Sequence, residues 1–233
     1  MKLRILFFLA AAALAAFPQL ARAAEADVAL VLALDVSLSV DESEYRLQRD
    51  GIAEAFESPA LEAAVAGGAH RAIEVLVLEW SEPDQQTVTV DWTRISDAAS
   101  ARAFAAKLRA TGRSATGRTA IGSALLAAAA AFERLPEKAT RLVIDVSGDG
   151  MANVGPPPSE VRDMLVAKGI TINGLVILND EPWVDQYYDM NVVGGAGAFL
   201  MQVEDYRSFA GAIRQKLISE LVALPQRPAA PPT

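Results

Sequence analysis

The sequence contains no cysteine and a single histidine, and these two absences remove several kinds of site. Without cysteine no disulfide can form, and the lipid attachment of bacterial lipoproteins is excluded. His70 has no second histidine with which to form a zinc-binding pair. About 200 residues can be stable without disulfides around one ordinary hydrophobic core, so the composition predicts a single domain.

Positive charge is also scarce, and no apolar run is long enough to cross a bilayer. The formal net charge is -8, and no basic cluster relieves it. Such a chain repels nucleic acid and anionic membrane surfaces. The apolar run over residues 5–17 is shorter than the roughly 20 residues that a membrane span requires. We therefore expect no nucleic-acid partner and no stable membrane insertion.

The first 23 residues instead have the composition of a secretory signal peptide. Lys2 and Arg4 precede the apolar run, and Ala21-Arg22-Ala23 offers the small-x-small pattern of a cleavage site. Cleavage there would start the mature protein near Ala24. It would change the formal charge from -8 to -11, because three positive charges and no negative ones are lost. The expected localisation is periplasmic or secreted.

After the signal peptide, strand-like apolar segments alternate with amphipathic helical ones. The predicted strands cover residues 28–34, 72–80, 86–92, 141–146, 170–178 and 198–203. The predicted helices lie between residues 41 and 59, 96 and 112, 121 and 132, 159 and 168, and 205 and 221. The first has a capping-box-like start, with Asp41 as the cap and Glu44 three residues later, and Pro59 marks its end. This alternation predicts an α/β fold with a doubly wound, mostly parallel sheet. The domain is expected over residues 24–224, followed by a Pro/Ala-rich disordered tail over 225–233.

The third predicted strand differs from the others because polar and apolar residues alternate along it. Val88, Val90 and Trp92 would share one side, as in a half-exposed edge strand. The short link Glu82-Pro83-Asp84 predicts that this strand forms an antiparallel hairpin with the strand before it.

Polar stretches follow two of the apolar strands and open one helix. Asp35-Val36-Ser37-Leu38-Ser39 ends the first strand, Ser147-Gly148-Asp149-Gly150 ends the fourth, and Thr119 precedes a helix. In doubly wound sheets ligands bind beyond the carboxyl ends of the strands, so these loops can meet at one point. Carboxylate and hydroxyl oxygens are the ligands that Mg²⁺ and other hard divalent cations prefer. The alternative is that these residues only cap the adjoining strands and helices.

Asp35, Ser37, Ser39, Thr119 and Asp149 together resemble the metal-ion-dependent adhesion site (MIDAS) of the von Willebrand factor A domain. That family has Asp-x-Ser-x-Ser, a later Thr, and Asp-Gly after the central strand, and all five positions match here. The resemblance implies a Rossmann-like fold that binds Mg²⁺, Mn²⁺ or Ca²⁺. It implies that the hydroxyls contact the ion, and that the two aspartates hold waters or orient the serines. It further implies an adhesion module that binds a partner protein's carboxylate through the ion and is not an enzyme.

With the stretch Gly194-Gly195-Ala196-Gly197-Ala198-Phe199, the whole chain is most similar to an uncharacterised family of secreted bacterial von Willebrand factor A-like proteins. The surroundings of the site leave alternatives open. Arg113 and Arg118 could attract an acidic partner or be solvated loop residues. The 179–189 loop, with Trp183 and two tyrosines, could be a partner surface or could pack a short helix onto the sheet.

Two other functions compete with the adhesion module. Asp35-x-Ser-x-Ser and the stretch 148–153 also resemble motifs of haloacid-dehalogenase-like phosphohydrolases, in which Asp35 would be the nucleophile and Asp149 would help to hold Mg²⁺. Against this, Asn153 falls one place late, Val154 replaces an acid, and Ser37 replaces the expected general acid/base. The other competitor is a metal-free envelope scaffold with the same fold.

Overall fold

The computed structural model describes residues 25–178, 181 and 183–222. The predicted signal peptide over 1–23 and the predicted tail over 225–233 lie outside these residues, and both stay predictions. Within the described residues, no helix has the length and apolar character needed to cross a membrane.

In the described part of the chain, six strands form one sheet in the order β3-β2-β1-β4-β5-β6. The strands are β1 Ala26–Asp35, β2 Ile73–Trp80, β3 Gln86–Ile95, β4 Ala139–Gly148, β5 Ile170–Ile177 and β6 Leu200–Val203. Every neighbouring pair is parallel except β2 and β3. The predicted doubly wound α/β fold, with one antiparallel edge strand, is confirmed.

Helices cover both faces of this sheet. They are α1 Glu42–Phe56, α2 Pro59–Ala66, α3 Ala98–Arg109, α4 Ile121–Ala131, α5 Pro158–Val166, α6 Val184–Asn191 and α7 Phe209–Val222. One core lies between the sheet and α1, α2, α3 and α7, and a second lies under α4, α5 and α6. Strand β1 serves both cores because its side chains alternate: Leu30 and Leu32 enter the first, and Val31 and Ala33 enter the second.

Helix α1 begins as the sequence predicts. The Asp41 side chain accepts from the backbone N–H groups of Ser43 and Glu44, and the Glu44 side chain accepts from the Asp41 N–H, which completes a capping box. This cap fixes where the chain turns from the end of β1 into α1. It therefore also fixes the loop that carries Ser37 and Ser39.

Helix α2 was not predicted, because Pro59 was interpreted only as the end of α1. Helix α1 does end at Phe56, but Pro59 then occupies the first turn of a new helix. The Ser58 side chain caps this helix by accepting from the Leu61 N–H at 3.3 Å. Proline is favourable there because the first N–H groups of a helix have no partner within it.

The prediction that Val88, Val90 and Trp92 share one side of β3 was wrong. Val90 lies in the core under α1 and α3, whereas Val88 and Trp92 pack against the core on the opposite face of the sheet. The pairing of β3 with β2 shifts register twice, on either side of Val90. Each shift inserts one extra residue, so the alternation reverses at Val90 and reverses again after it.

The order of the strands places a switch point between β1 and β4. From β1 the chain builds β2 and β3 towards one edge and then returns to add β4, β5 and β6 on the other side. Leu34 of β1 is in register with Ser147 of β4, so Asp35 and Gly148 end these strands side by side. Open α/β sheets bind their ligands in the crevice at this position.

Candidate metal centre

Asp35 is the last residue of β1, and it is fully buried. Its Oδ1 atom accepts a hydrogen bond of 2.7 Å from the backbone N–H of Ser37, which bends the chain into the loop after the strand. Its Oδ2 atom is also buried and has no hydrogen-bond partner among the described residues. An unsatisfied buried carboxylate oxygen is costly, so its position requires an explanation.

A chain of hydrogen bonds links the two serines to the second aspartate. The Ser37 and Ser39 hydroxyl oxygens are 3.1 Å apart, and the Ser39 hydroxyl donates to Asp149 Oδ1 at 2.6 Å. The Tyr206 hydroxyl donates to Asp149 Oδ2 at 3.1 Å. The loop after β1 and the loop after β4 therefore meet through their oxygen atoms, as the sequence predicts.

Thr119 is held between the same two loops. The carbonyl of Gly117 accepts from the Leu38 N–H at 2.8 Å, which connects the Thr119 loop to the loop after β1. The Thr119 N–H donates to Asn153 Oδ1 at 3.0 Å, and the Asn153 N–H donates to the Thr119 carbonyl at 3.0 Å. Backbone bonds on both sides thus position Thr119 beside the serines and Asp149.

Two residues that were not predicted as part of the site fix its backbone. The Gln48 amide donates to the Asp35 carbonyl at 3.1 Å and accepts from the Ser147 hydroxyl at 2.6 Å, so it bridges the ends of β1 and β4. Arg113 donates to the carbonyls of Val36 and Ser37 at 2.8 and 2.7 Å. In the sequence, Gln48 could have been identified as a polar residue on the buried face of α1. No sequence pattern indicates the contacts of Arg113.

Glu79 anchors the loop that precedes Thr119. This buried residue of β2 accepts from the Tyr45 hydroxyl at 3.0 Å and from the Ser114 N–H at 2.7 Å. Because both carboxylate oxygens are used, the loop starts from a fixed point on the sheet. The sequence feature that could have identified Glu79 is its acidic side chain in a strand of mostly apolar residues.

The electrostatics of the site disfavour a charged Asp35 in the protein alone. Burial, and then the charge of Asp149, raise the pKa of Asp35 to about 7, although hydrogen bonds from Ser37 and the charge of Arg113 act to lower it. Asp35 forms no ion pair within the described residues. Burial and the same two carboxylates also raise the pKa values of Tyr188 and Tyr206 well above that of a free tyrosine.

Gly148 leaves the space directly beside Asp35. A Cβ atom at this position would lie 2.9 Å from Asp35 Oδ2 and 2.5 Å from the Tyr188 hydroxyl, which is too close for any larger residue. The Tyr188 hydroxyl is buried and, among the described residues, has no hydrogen-bond partner. Helix α6 therefore brings a second polar atom next to the unsatisfied oxygen of Asp35.

A cleft of about 210 Å³ opens above these residues. Its walls are formed by Leu38, Ser39, Gly117, Arg118, Thr119, Asp149, Gly150, Met151, Asn153 and Glu181. Three of the five predicted ligands, Ser39, Thr119 and Asp149, line the cleft, while Asp35 and Ser37 are buried and are not among its lining residues.

The donor atoms fit a hard divalent cation. All five predicted side chains offer oxygen, and one carboxylate oxygen has no other partner in the described residues. The described part of the chain contains no cluster of three or more histidine, cysteine, aspartate or glutamate side chains suited to a metal. An ion here would accordingly depend on hydroxyl groups as much as on carboxylates.

The structure shows the contacts of the residues around the site whose roles the sequence left open. Arg118 forms an ion pair with Glu82 at 2.9 Å at the rim of the cleft, whereas Arg113 is bound to backbone carbonyls. Trp183 is 65% exposed, while Tyr188 packs in the core under α6. The segment after β5 thus has an exposed aromatic residue, Trp183, before α6, and Tyr188 within α6 packs this helix onto the sheet.

Sequence comparison identifies the family. Residues 25–225 match the model of a family described as "Protein of unknown function (DUF1194)". The chain belongs to the DUF1194 family. A comparison with curated proteins gives no significant sequence match.

Three solved structures show the fold of this DUF1194 chain. Proximal thread matrix protein 1 (PTMP1) from the mussel byssus is 15% identical, with a TM-score of 0.62 over 84% of this chain and 48% of that chain. A von Willebrand factor type A protein from Catenulispora acidiphila is 17% identical, with a TM-score of 0.61 over 84% and 43%. The pilus adhesin SpaC from Lactobacillus rhamnosus GG is 12% identical, with a TM-score of 0.60 over 84% and 31%.

In each case the match spans less than half of the other protein's chain. At these identities the likeness shows the fold alone. That fold is the von Willebrand factor A fold, which confirms the resemblance seen in the sequence. One structure of PTMP1 contains a zinc-occupied MIDAS motif.

Proposed function

We propose that this DUF1194 protein is an exported interaction module that binds a divalent cation and, through it, a partner protein. The ion is Mg²⁺, Mn²⁺ or Ca²⁺, and its ligands, direct or through water, are Asp35, Ser37, Ser39, Thr119 and Asp149. The bound ion supplies an exchangeable coordination position for a carboxylate of the partner. The chain's own residues orient the hydroxyls and aspartates and leave the cleft open on one side.

The observation that carries this proposal is the unsatisfied Oδ2 atom of Asp35. The fold buries this oxygen without a hydrogen-bond donor or an ion pair among the described residues, next to a second carboxylate. A cation, or water held by it, would satisfy the oxygen and remove the repulsion between the two aspartates. Two serine hydroxyls and a threonine at the same point complete an all-oxygen set.

The similar structures support the parts of this proposal that concern ion binding and protein–protein contact. PTMP1 comes from the byssus, with a zinc-occupied MIDAS motif in one of its structures, and SpaC is a pilus adhesin. By analogy, we propose export of this chain after removal of residues 1–23 and a role in protein–protein contact. Zinc joins the ions to be tested, since PTMP1 carries it.

The phosphohydrolase alternative finds less support in the geometry. A nucleophile must reach its substrate, but Asp35 is fully buried beneath the cleft and its Oδ1 atom is bound by the Ser37 N–H. The side chain of Asn153, which would belong to the phosphohydrolase motif, is used to hold the Thr119 backbone. We therefore propose a binding role without enzymatic turnover.

Isothermal titration calorimetry of residues 24–224 with Mg²⁺, Mn²⁺, Ca²⁺ and Zn²⁺ tests the ion site. We expect one ion per chain, and a Ser39→Ala variant that binds at least about tenfold more weakly because one contact is lost. Ser219→Ala removes the hydroxyl of another exposed serine, on α7, and should bind like the wild type. Absence of binding by the wild type would favour the metal-free scaffold, with the five residues acting as loop caps.

A further inference from the structure

Leu38 holds a large apolar side chain in solvent beside the candidate ligands. It lies between Ser37 and Ser39 and is 74% exposed. Its position is fixed, because its N–H donates to the Gly117 carbonyl at 2.8 Å. The side chain of Leu38 lines the cleft.

Met151 provides a second apolar wall of the same cleft. It follows Gly150 in the loop after β4 and is 39% exposed, and its N–H donates to Glu181 Oε2 at 3.3 Å. Gly150 adds no bulk between the two walls: a Cβ there would meet only Thr119 Oγ1, at 4.0 Å. The cleft thus has exposed apolar groups next to Ser39, Thr119 and Asp149.

The size of the cleft indicates what can enter it. Its volume of about 210 Å³ is below the roughly 300–1,000 Å³ typical of pockets that enclose small-molecule ligands. It suits one or two side chains of a larger partner. The buried core of a protein–protein interface is more apolar than the rest of the surface, and methionine is enriched in interfaces, so exposed apolar groups here suit a protein partner.

The proposed ion decides the sign of the polar side chain that enters, because Asp149 and Glu181 line the cleft together with Arg118. Arg118 lines the cleft with a largely exposed guanidinium group, held in place by both carboxylate oxygens of Glu82. The proposed divalent ion adds further positive charge at the floor. A carboxylate complements both, and a lysine or arginine side chain does not.

We infer that the cleft recognises a pair of neighbouring side chains on a partner protein, an acidic residue and a large apolar residue. The acid binds at the ion, near Arg118, and the apolar side chain packs between Leu38 and Met151. This inference rests on the proposed function for the acidic half of the pair. The apolar half rests on the two exposed side chains, independently of the choice of ion.

Fluorescence anisotropy with short labelled synthetic peptides tests the inference. Each peptide carries one central glutamate whose neighbour is leucine, phenylalanine, serine or lysine, and a matched set carries glutamine instead. In Mg²⁺ we expect leucine or phenylalanine to improve binding about tenfold over serine, as partial burial of one such side chain allows. Glutamine peptides, and all peptides in EDTA, should bind at least about tenfold more weakly.

Paired variants assign the preference to the cleft. The double variant Leu38→Ser, Met151→Gln should lose the preference for an apolar neighbour and keep the dependence on glutamate. The control Leu126→Ser, Met164→Gln changes two residues that are 41% and 42% exposed on α4 and α5, and it should keep both.

The same samples, titrated with Mg²⁺ in a thermal-shift assay, distinguish a failure of this inference from a failure of the proposed ion site. Ion-dependent stabilisation with no peptide binding, or with equal binding of all glutamate peptides, would overturn the inference and leave the ion site standing. A preference that survives in the Leu38→Ser, Met151→Gln variant would also overturn it. No ion-dependent stabilisation would instead remove the proposed function, and the acidic half of the inference with it.

Discussion

Strand β4 leads to two buried groups of carboxylates that differ in how their charge is compensated. Within the strand, Asp145 pairs with Lys216 of α7, which also contacts Glu220 Oε1 at 2.7 Å. Just beyond the strand, Asp149 lies beside Asp35, which has no ion pair within the described residues. Asp145 and Asp149 are only four residues apart in the sequence, but the charge of the two groups is compensated differently.

The Asp145 group carries its own cation. Burial alone would lower the pKa of Lys216, but the charges of Asp145 and Glu220 outweigh it and raise the pKa, so the ammonium group stays charged. Asn173 donates to Glu220 Oε1 at 3.0 Å, and the ring of Phe199 lies 5.1 Å from the Lys216 nitrogen. This cluster is enclosed and attaches α7 to the sheet, so its role is structural.

Both groups leave buried carboxylate oxygens without a hydrogen-bond partner within the described residues: Asp35 Oδ2 in one, and Asp145 Oδ2 and Glu220 Oε2 in the other. The Asp35 group differs because it has no ion pair there and lies under an open cleft. Arg113, the nearest compensating charge, donates to the carbonyls of Val36 and Ser37. The Asp145 group shows that this fold can place a buried lysine beside buried carboxylates. At Asp35 the compensating charge is expected to come from outside the chain.

Removing the internal cation should have the largest effect. Lys216→Met leaves Asp145 and Glu220 buried together, and breaking such a pair costs about 3–5 kcal/mol of unfolding free energy. Urea denaturation measures the loss. Lys107→Met, at an exposed position of α3, is the matched control and should cost less than about 0.5 kcal/mol. Equal effects of the two substitutions would contradict the structural role of the Asp145 cluster.

The pH dependence of stability in chelator should identify the uncompensated group. The pKa of Asp35 rises from 3.8 to about 7 on folding, so the protonated carboxyl favours the folded state. Its contribution is fully present below pH 4 and is lost as the pH rises to about 7, by up to about 4 kcal/mol.

Asp35→Asn lacks this titration. The unfolding free energy of the wild type, measured in EDTA relative to this variant, should therefore fall between pH 4 and 7. Asp145 titrates equally in both proteins and cancels in the difference. A difference that stays constant across this range would show that Asp35 is ionised in the folded protein without an added ion.

Two tyrosines next to Asp35 and Asp149 should show smaller effects on stability. Tyr206→Phe removes a hydrogen bond to Asp149 and should cost about 1–2 kcal/mol, because the acceptor is buried. Tyr188→Phe removes a hydroxyl without a hydrogen-bond partner in the described residues, and it should change the stability in EDTA by less than about 0.5 kcal/mol. Thermal unfolding of both variants tests the order. A larger loss for Tyr188→Phe would reveal a partner for its hydroxyl.

Much of the fold followed from local patterns. The apolar run of β1 and the capping box of α1 depend on residues close in sequence, and both were predicted correctly. Helix α2 was missed because proline ends one helix and opens another with the same local signal. The placement of Val90 depends on two bulges in the pairing with β2, and periodicity within one strand does not contain that information.

The five candidate ligands were named from spacing and residue type, and the structure brings their loops to one point. Their role as metal ligands stays a prediction. The supporting residues were not predicted, because Gln48, Arg113 and Glu79 act through contacts between distant parts of the chain. Tyr188 and Tyr206 approach the aspartates from helix α6 and the segment before α7, and no local sequence pattern predicts either contact.

Denaturant-induced unfolding of the wild type and Asp35→Asn at pH 7, in EDTA and in excess Mg²⁺, Mn²⁺, Ca²⁺ or Zn²⁺, tests most directly whether a divalent ion compensates Asp35. An ion that binds only the folded wild type should stabilise it by about 2.7 kcal/mol at a hundredfold excess over its dissociation constant. Asp35→Asn should be at least as stable as the wild type in EDTA and should not respond to the ion. A wild type that is unaffected by every ion, or a variant that responds equally, would contradict an ion site at Asp35.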